Sequence, residues 1–317
     1  MSSVQNSYGL DSLQQDFDDF IDNLSRRISK ARPNLNIYNT RLGDIKKKLE
    51  NIHDLERYEV SKVSEIVAKL NNINKILDSD LIIKDKELLT LVEGGKDLAN
   101  DSREAYNNIF FELSMAARFI GSSNGSVSIK LDGDCDVIVD NILAVECKYI
   151  HSASNLKKNL SKAKKQIKER IENNEAKKGI IALDLTNMSS YEKLEKFSDY
   201  IFDMYCDNYY KMENNGHLKY SVADHVLEDR NFFNIISSFI VSEAESALYS
   251  EIGWDYDFGN NDILGIVFQV NNTFLFSEGG KLKPLSTRGM SFFVNKSLSE
   301  NEYNNAFRYF QGLASGI

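Results

Sequence analysis

VSIKLDGDCDVIVDNILAVECKYI, residues 127–150, decides how the rest of the chain is read. It consists of short runs rich in Val, Ile and Leu, punctuated by Asp132-Gly133 and Asp140-Asn141, pairs that favour turns. The pattern predicts a meander of three strands. In the last run, AVECKYI, extended backbone points Glu146 and Lys148 to one face and Val145, Cys147 and Tyr149 to the other. Asp136 closes the polar part of the preceding run, ten residues before Glu146. The Asp140-Asn141 turn would lay the two runs antiparallel, so two carboxylates and one ammonium converge at the edge of an apolar sheet. Such a group suits phosphodiester hydrolysis. Asp136 and Glu146 can hold a hard cation that neutralises phosphorane charge and acidifies a water, and Lys148 can polarise that water or offset charge on the scissile phosphate.

Downstream, residues 155–174 read as a basic amphipathic helix. Leu156, Leu160, Ala163, Ile167 and Ile171 form its apolar stripe; Lys157, Lys158, Lys162, Lys164, Lys165, Lys168 and Arg170 crowd its polar side. GIIALDL, from Gly179 to Leu185, has the length and continuous apolarity of a strand buried on both faces. Strand, helix, strand in this order predicts a parallel pair. Residues 190–250 read as helical, an insertion of about 190–258, and Ile263 to Phe276 reads as two strands turned by Asn271-Asn272.

Upstream, residues 104–120 make a strongly apolar helix, and the first hundred residues are helical. Leu13, Phe17, Phe20, Leu24 and Ile28 form one stripe that stops before Pro33; Leu42 to Ile52 and Val60 to Leu77 continue the rhythm. The spacing predicts a helical arm or coiled-coil-like hairpin for packing, self-association or partner docking. Two regions follow: a helical region over 1–100 and a second domain over 101–317.

The order from residue 104 to 186, with Asp136 followed by Glu146-Cys147-Lys148, resembles the D…(D/E)xK signature and core of the PD-(D/E)XK, or restriction-endonuclease-like, nuclease superfamily. Cys135 stands where that signature often has proline. The resemblance implies an α/β fold with a mixed sheet flanked by helices, and an endonuclease that takes Mg2+, with Mn2+ as a substitute. It also implies an added acidic ligand on the first core helix, where Glu112 matches, and a site-facing glutamine on the helix after ExK, where Gln166 matches. DNA is the favoured substrate over RNA, and restriction or anti-phage defence the implied setting. The competing reading is a silent nuclease-fold scaffold that works through its helical arm.

The 317 residues, 42% hydrophobic and 27% charged, suit a globular protein, and a net charge of −9 argues against indiscriminate coating of nucleic acid, so phosphate contact must come from the local lysine patch. That run could equally be a solvated face. Cys135, Cys147 and Cys206 are odd in number, lack metal or redox spacing and read as reduced thiols. No stretch reaches the roughly 18 to 20 apolar residues of a membrane span, and the opening lacks a leader pattern, so a cytoplasmic protein with no membrane partner is expected.

Lesser candidates are Asp134, which shares a face with Asp136 and could replace it as ligand; Asp140, which suits a turn cap; and His151, close after the site strand. His53, His217 and His225 show no ligand spacing. Gly94-Gly95 and Gly279-Gly280 lack the context of a phosphate cradle. Trp254, Tyr256 and Phe258 could stack on bases or merely pack.

Overall fold

The computed structural model describes residues 3–6, 10–95, 97–122, 127–131, 136–213, 221–279 and 281–315. A short strand, β1 (Ser3–Asn6), precedes helices α1 (Leu10–Ala31), α2 (Arg41–Glu50), α3 (Arg57–Asn71), α4 (Asn74–Leu77), α5 (Asp85–Val92) and α6 (Tyr106–Ser122). The meander is β2 (Ile129–Lys130), β3 (Val137–Val139) and β4 (Leu143–Tyr149), followed by α7 (Ala153–Glu172) and β5 (Lys178–Asp184). Helices α8 (Tyr191–Glu213), α9 (Val222–Glu228) and α10 (Arg230–Ile252) come next, then strands β6 (Ile263–Glu278) and β7 (Lys281–Val294), and a final helix, α11 (Glu300–Ser315). The fold is α/β.

One mixed sheet runs in the order β1-β7-β6-β5-β4-β3-β2. The expected parallel pair forms, with Val145 beside Ile180 and Tyr149 beside Asp184, and β6 continues parallel to β5. Its β3–β4 hairpin is set locally. Asp140 and Asn141 both adopt left-handed backbone, φ 54° each, which Asp and Asn tolerate better than most side chains. Ile142 N–H donates to Val139 O at 3.0 Å to close the turn.

Helices cover both faces. Phe17, Phe20, Val67, Leu91, Phe111 and Met115 pack with Val145, Cys147, Ile180, Ala182 and Val267 of the sheet. On the opposite face Leu156, Leu160, Phe202, Phe232, Ile236 and Leu248 pack with Ile181, Leu183, Ile266 and Phe268. The stripes of the first hundred residues thus share a core with the sheet, and among the described residues no projecting arm forms. The chain breaks at Pro33 and again at 51–56, so short helices wrap the sheet and bury in their own fold the surface that an arm would offer.

The strand pattern after residue 260 also differs from expectation. Ile263–Glu278 is one strand of 16 residues, and Asn271 and Asn272 lie within the ladder opposite Arg288 and Thr287. Turn preference is a local energy, and a partner strand outweighs it. Asn271 N–H donates to Thr186 Oγ1 at 3.0 Å and its amide donates to buried Asp184 at 3.3 Å. That partner, β7, is hidden in the sequence by Pro284, Ser286, Thr287, Arg288 and Gly289, which break any alternation. Pro284 lies in the ladder opposite Leu275 of β6, and among the described residues β1 pairs with Ser286 to Gly289. Among the described residues no helix is long and apolar enough to cross a membrane.

Candidate active site

Registered neighbours on adjacent strands point to the same side of a sheet. Glu146 lies beside Ile181 and Lys148 beside Leu183, so both side chains face the α7 layer, while Cys147 faces the α6 layer. Asp136, one residue before β3, is drawn across by the backbone: Cys147 N–H donates to its Oδ2 at 2.7 Å. The ammonium of Lys148 then donates to Glu146 Oε2 at 3.0 Å, to Asp136 Oδ2 at 3.3 Å and to Cys147 O at 3.0 Å. The three residues predicted to converge do so. Glu146 is fully buried, and the side chains of Lys148 and Asp136 are 11% and 19% exposed. Burial works against the Lys148 charge, but Asp136 and Glu146 outweigh it and hold its pKa above the ordinary lysine value.

Glu112, on α6, lies within electrostatic reach of this group. Burial, then the charges of Asp136, Glu87 and Glu146, push its carboxyl up to about 9, against a smaller opposing pull from Lys148. Glu87 on α5 is a residue that the sequence reading missed. Burial raises its pKa, Lys84 pulls it down, and Asp136 pushes it up again. In DKELLTLV it reads as an ordinary first-turn acid facing the helix dipole, and only the packing of α5 on α6 brings it near Glu112. No signal in its local sequence distinguishes it.

Gln166 is half-buried on α7. Its Oε1 has no hydrogen-bond partner among the described residues, and no hydrogen bond joins it to the Asp136, Glu146 and Lys148 group. The basic side of α7 is surface. Lys157, Lys158, Lys162, Lys165 and Lys168 are exposed; Lys157 lies 3.9 Å from Glu251, while Lys165 and Lys168 lie 3.6 Å from Glu169 and Glu172 on their own helix. Lys164 donates to Asp257 O at 3.1 Å. His151 Nδ1 bonds Ser102 O at 2.9 Å, which ties the site strand's exit to the loop before α6. Asp140 is the turn residue expected, and accepts from Ser128 N–H at 2.8 Å. Asp134, Cys135 and His217 lie outside the described residues. Cys147 is a buried free thiol, its pKa raised first by burial and then by Asp136.

Comparison with known proteins adds no assignment. No family model, no curated protein and no solved structure matches the chain. Among the described residues no group of three or more His, Cys, Asp or Glu side chains is placed to hold a metal ion. What the fold does bring together is Asp136 and Glu146 about one ammonium, with two further carboxyls within electrostatic reach.

The raised Glu112 carboxyl has a measurable consequence. The folded protein keeps a proton that the unfolded chain releases above about 4.5, so this group's contribution to stability falls as pH rises from there towards about 9. In metal-free protein, Glu112→Gln should remove that fall and be more stable than wild type at about pH 8, by on the order of 2–4 kcal/mol. Urea unfolding of the two proteins across this range measures the difference; parallel curves would place Glu112 away from the other carboxylates.

Proposed function

We propose that this chain is a metal-dependent nuclease of the restriction-endonuclease-like type, acting on DNA, with Asp136, Glu146 and Lys148 as its catalytic group. The observation that carries the reading is the sharing of one ammonium by two carboxylates from adjoining strands, at 3.0 and 3.3 Å. The order of elements supports it: α6, the β2-β3-β4 meander, α7 and β5 follow the helix, meander, helix and strand of the superfamily's core.

The residues suit a divalent cation in chemistry. Asp136 and Glu146 offer hard oxygen donors, and the Glu112 carboxyl, raised first by burial and then by the charges of Asp136 and Glu87, adds a third carboxyl within electrostatic reach. Asp136 and Glu146 would hold Mg2+, with Glu112 joining once deprotonated; the ion would supply charge neutralisation and an acidified water. Lys148 would meet phosphate oxygen or hold water by exchanging one of the three acceptors its ammonium now has, and the exposed lysines of α7 would supply the attraction for the polyanion in an acidic protein.

Supercoiled plasmid incubated with the protein and Mg2+, beside Glu146→Ala and Lys148→Ala, tests the reading. Wild type should nick or linearise the plasmid and the variants should not. Activity confined to RNA would move the substrate, and equal inertness of all three proteins with Mg2+ and Mn2+ would favour the scaffold reading. Replacing Lys158, Lys162 and Lys165 together by glutamine should weaken binding to duplexes of any sequence and flatten the log–log salt dependence by about 2 to 3. An unchanged slope would mean that this helix faces only solvent.

A further inference from the structure

Helix α10 ends at Gly253, whose backbone (φ 77°) lies in the region that favours glycine. The chain there folds back so that Trp254 stacks on Tyr249, with ring centroids 3.9 Å apart and planes 19° apart. Tyr249 is seated edge-on against Phe293 at 5.8 Å, which anchors the pair to the core. Trp254 nevertheless remains 67% exposed, so the indole has one face held by a tyrosine and the other open to solvent. Phe258 is buried and serves packing.

The segment around this pair is strapped by lysines. Lys296 donates to Trp254 O and to Asp255, each at 3.0 Å, and Lys157 faces Glu251 at 3.9 Å. Lys164 donates to Asp257 O and lies 5.3 Å over the Tyr256 ring. Asp255 and Glu251 beside the indole are thus each matched by a lysine, and the platform borders the lysine-rich side of α7. A rigid, half-covered aromatic beside a basic surface fits an unpaired base, which presents a π-face to stack while its phosphate meets the lysines. Bases in an intact duplex are stacked on one another and cannot reach it.

We propose that Trp254, backed by Tyr249, is a base-stacking platform, so that the nucleic acid this protein takes carries a single-stranded segment. This rests on the nucleic-acid reading of α7 and not on the catalytic group.

Trp254 is the only tryptophan of the chain, so its emission reports the platform alone. Full-length protein in chelator is titrated with an oligo-dT strand and with a blunt duplex of equal length. The single strand should quench the emission and the duplex should not. By anisotropy of the labelled strand, Trp254→Ala should bind single strands roughly 10- to 100-fold more weakly, with duplex affinity unchanged and Trp254→Phe largely restored. Equal quenching by duplex, no quenching by the single strand, or unchanged affinity of Trp254→Ala would each overturn the proposal. Quenching by a protein that never cleaves would keep it and remove the nuclease reading; cleavage without quenching would do the reverse.

Discussion

On the proposed nuclease reading, glutamine in place of Glu146 is expected to lower Mg2+-dependent cleavage by about 10²- to 10³-fold or more while leaving the fold and DNA binding intact. The substitution preserves shape in a position with no exposure. It retains one oxygen for Lys148, which also keeps Asp136 at 3.3 Å and Cys147 O at 3.0 Å. It removes a buried negative charge, so stability should hold or rise. Binding in chelator should be equal or tighter, since a carboxylate that repels phosphate is gone. Asp136→Asn tests the second proposed ligand, although it also weakens the acceptor for Cys147 N–H at 2.7 Å and should cost some stability. Plasmid nicking, duplex anisotropy and thermal unfolding on the same preparations separate the three effects. Cleavage that survives both substitutions would reject the assignment.

The largest stability effect is expected away from the site, at Asp101. This carboxylate is 5% exposed and accepts from the guanidinium of Arg41 and from Tyr106 OH at 2.9 and 3.0 Å, with the Lys69 ammonium at 3.6 Å. Its backbone carbonyl accepts from Asn107 at 2.7 Å. Arg41 and Lys69 are each 4% exposed and sit on α2 and α3, while Tyr106 and Asn107 open α6. Asp101→Ala would leave the buried Arg41 guanidinium without its carboxylate and Lys69 with Glu65, at 3.7 Å, as its remaining acidic partner, at a cost of about 3–5 kcal/mol, which is a large share of the roughly 5–15 kcal/mol that holds a domain together. Asp101→Asn keeps an acceptor for Tyr106 and should lose less. Urea unfolding measures both, and a loss below about 1 kcal/mol would mean that the cluster does not fasten the N-terminal helices. Because α6 carries Glu112, a loosened cluster should also lower cleavage in proportion to the disturbance of that helix.

The parts of the site legible in the sequence are those governed by short-range geometry. Glu146 and Lys148 share a face because an extended chain alternates, and Asp136 joins them because Asp140-Asn141 makes a tight turn between neighbouring runs. The α7 stripe and the apolar run of β5 were equally local, and they carried the parallel pairing with them. Where reading failed, a competing long-range energy was absent from the local pattern. Asn271-Asn272 looks like a turn until β7 and Asp184 supply partners for the backbone and the Asn271 amide, and β7 itself has no alternation to betray it. The N-terminal stripes announce burial without naming the surface that buries them.

The α/β order and the trio of Asp136, Glu146 and Lys148 follow from the local chain, since each depends on φ/ψ preference and side-chain periodicity over a few residues. Packing between distant segments sets the rest: the first hundred residues wrap the sheet, Glu87 and Glu112 come within electrostatic reach of Asp136, and the Glu112 carboxyl is pushed up. Proximity between distant segments and the exclusion of water are properties of the packed chain, and charge states follow from them.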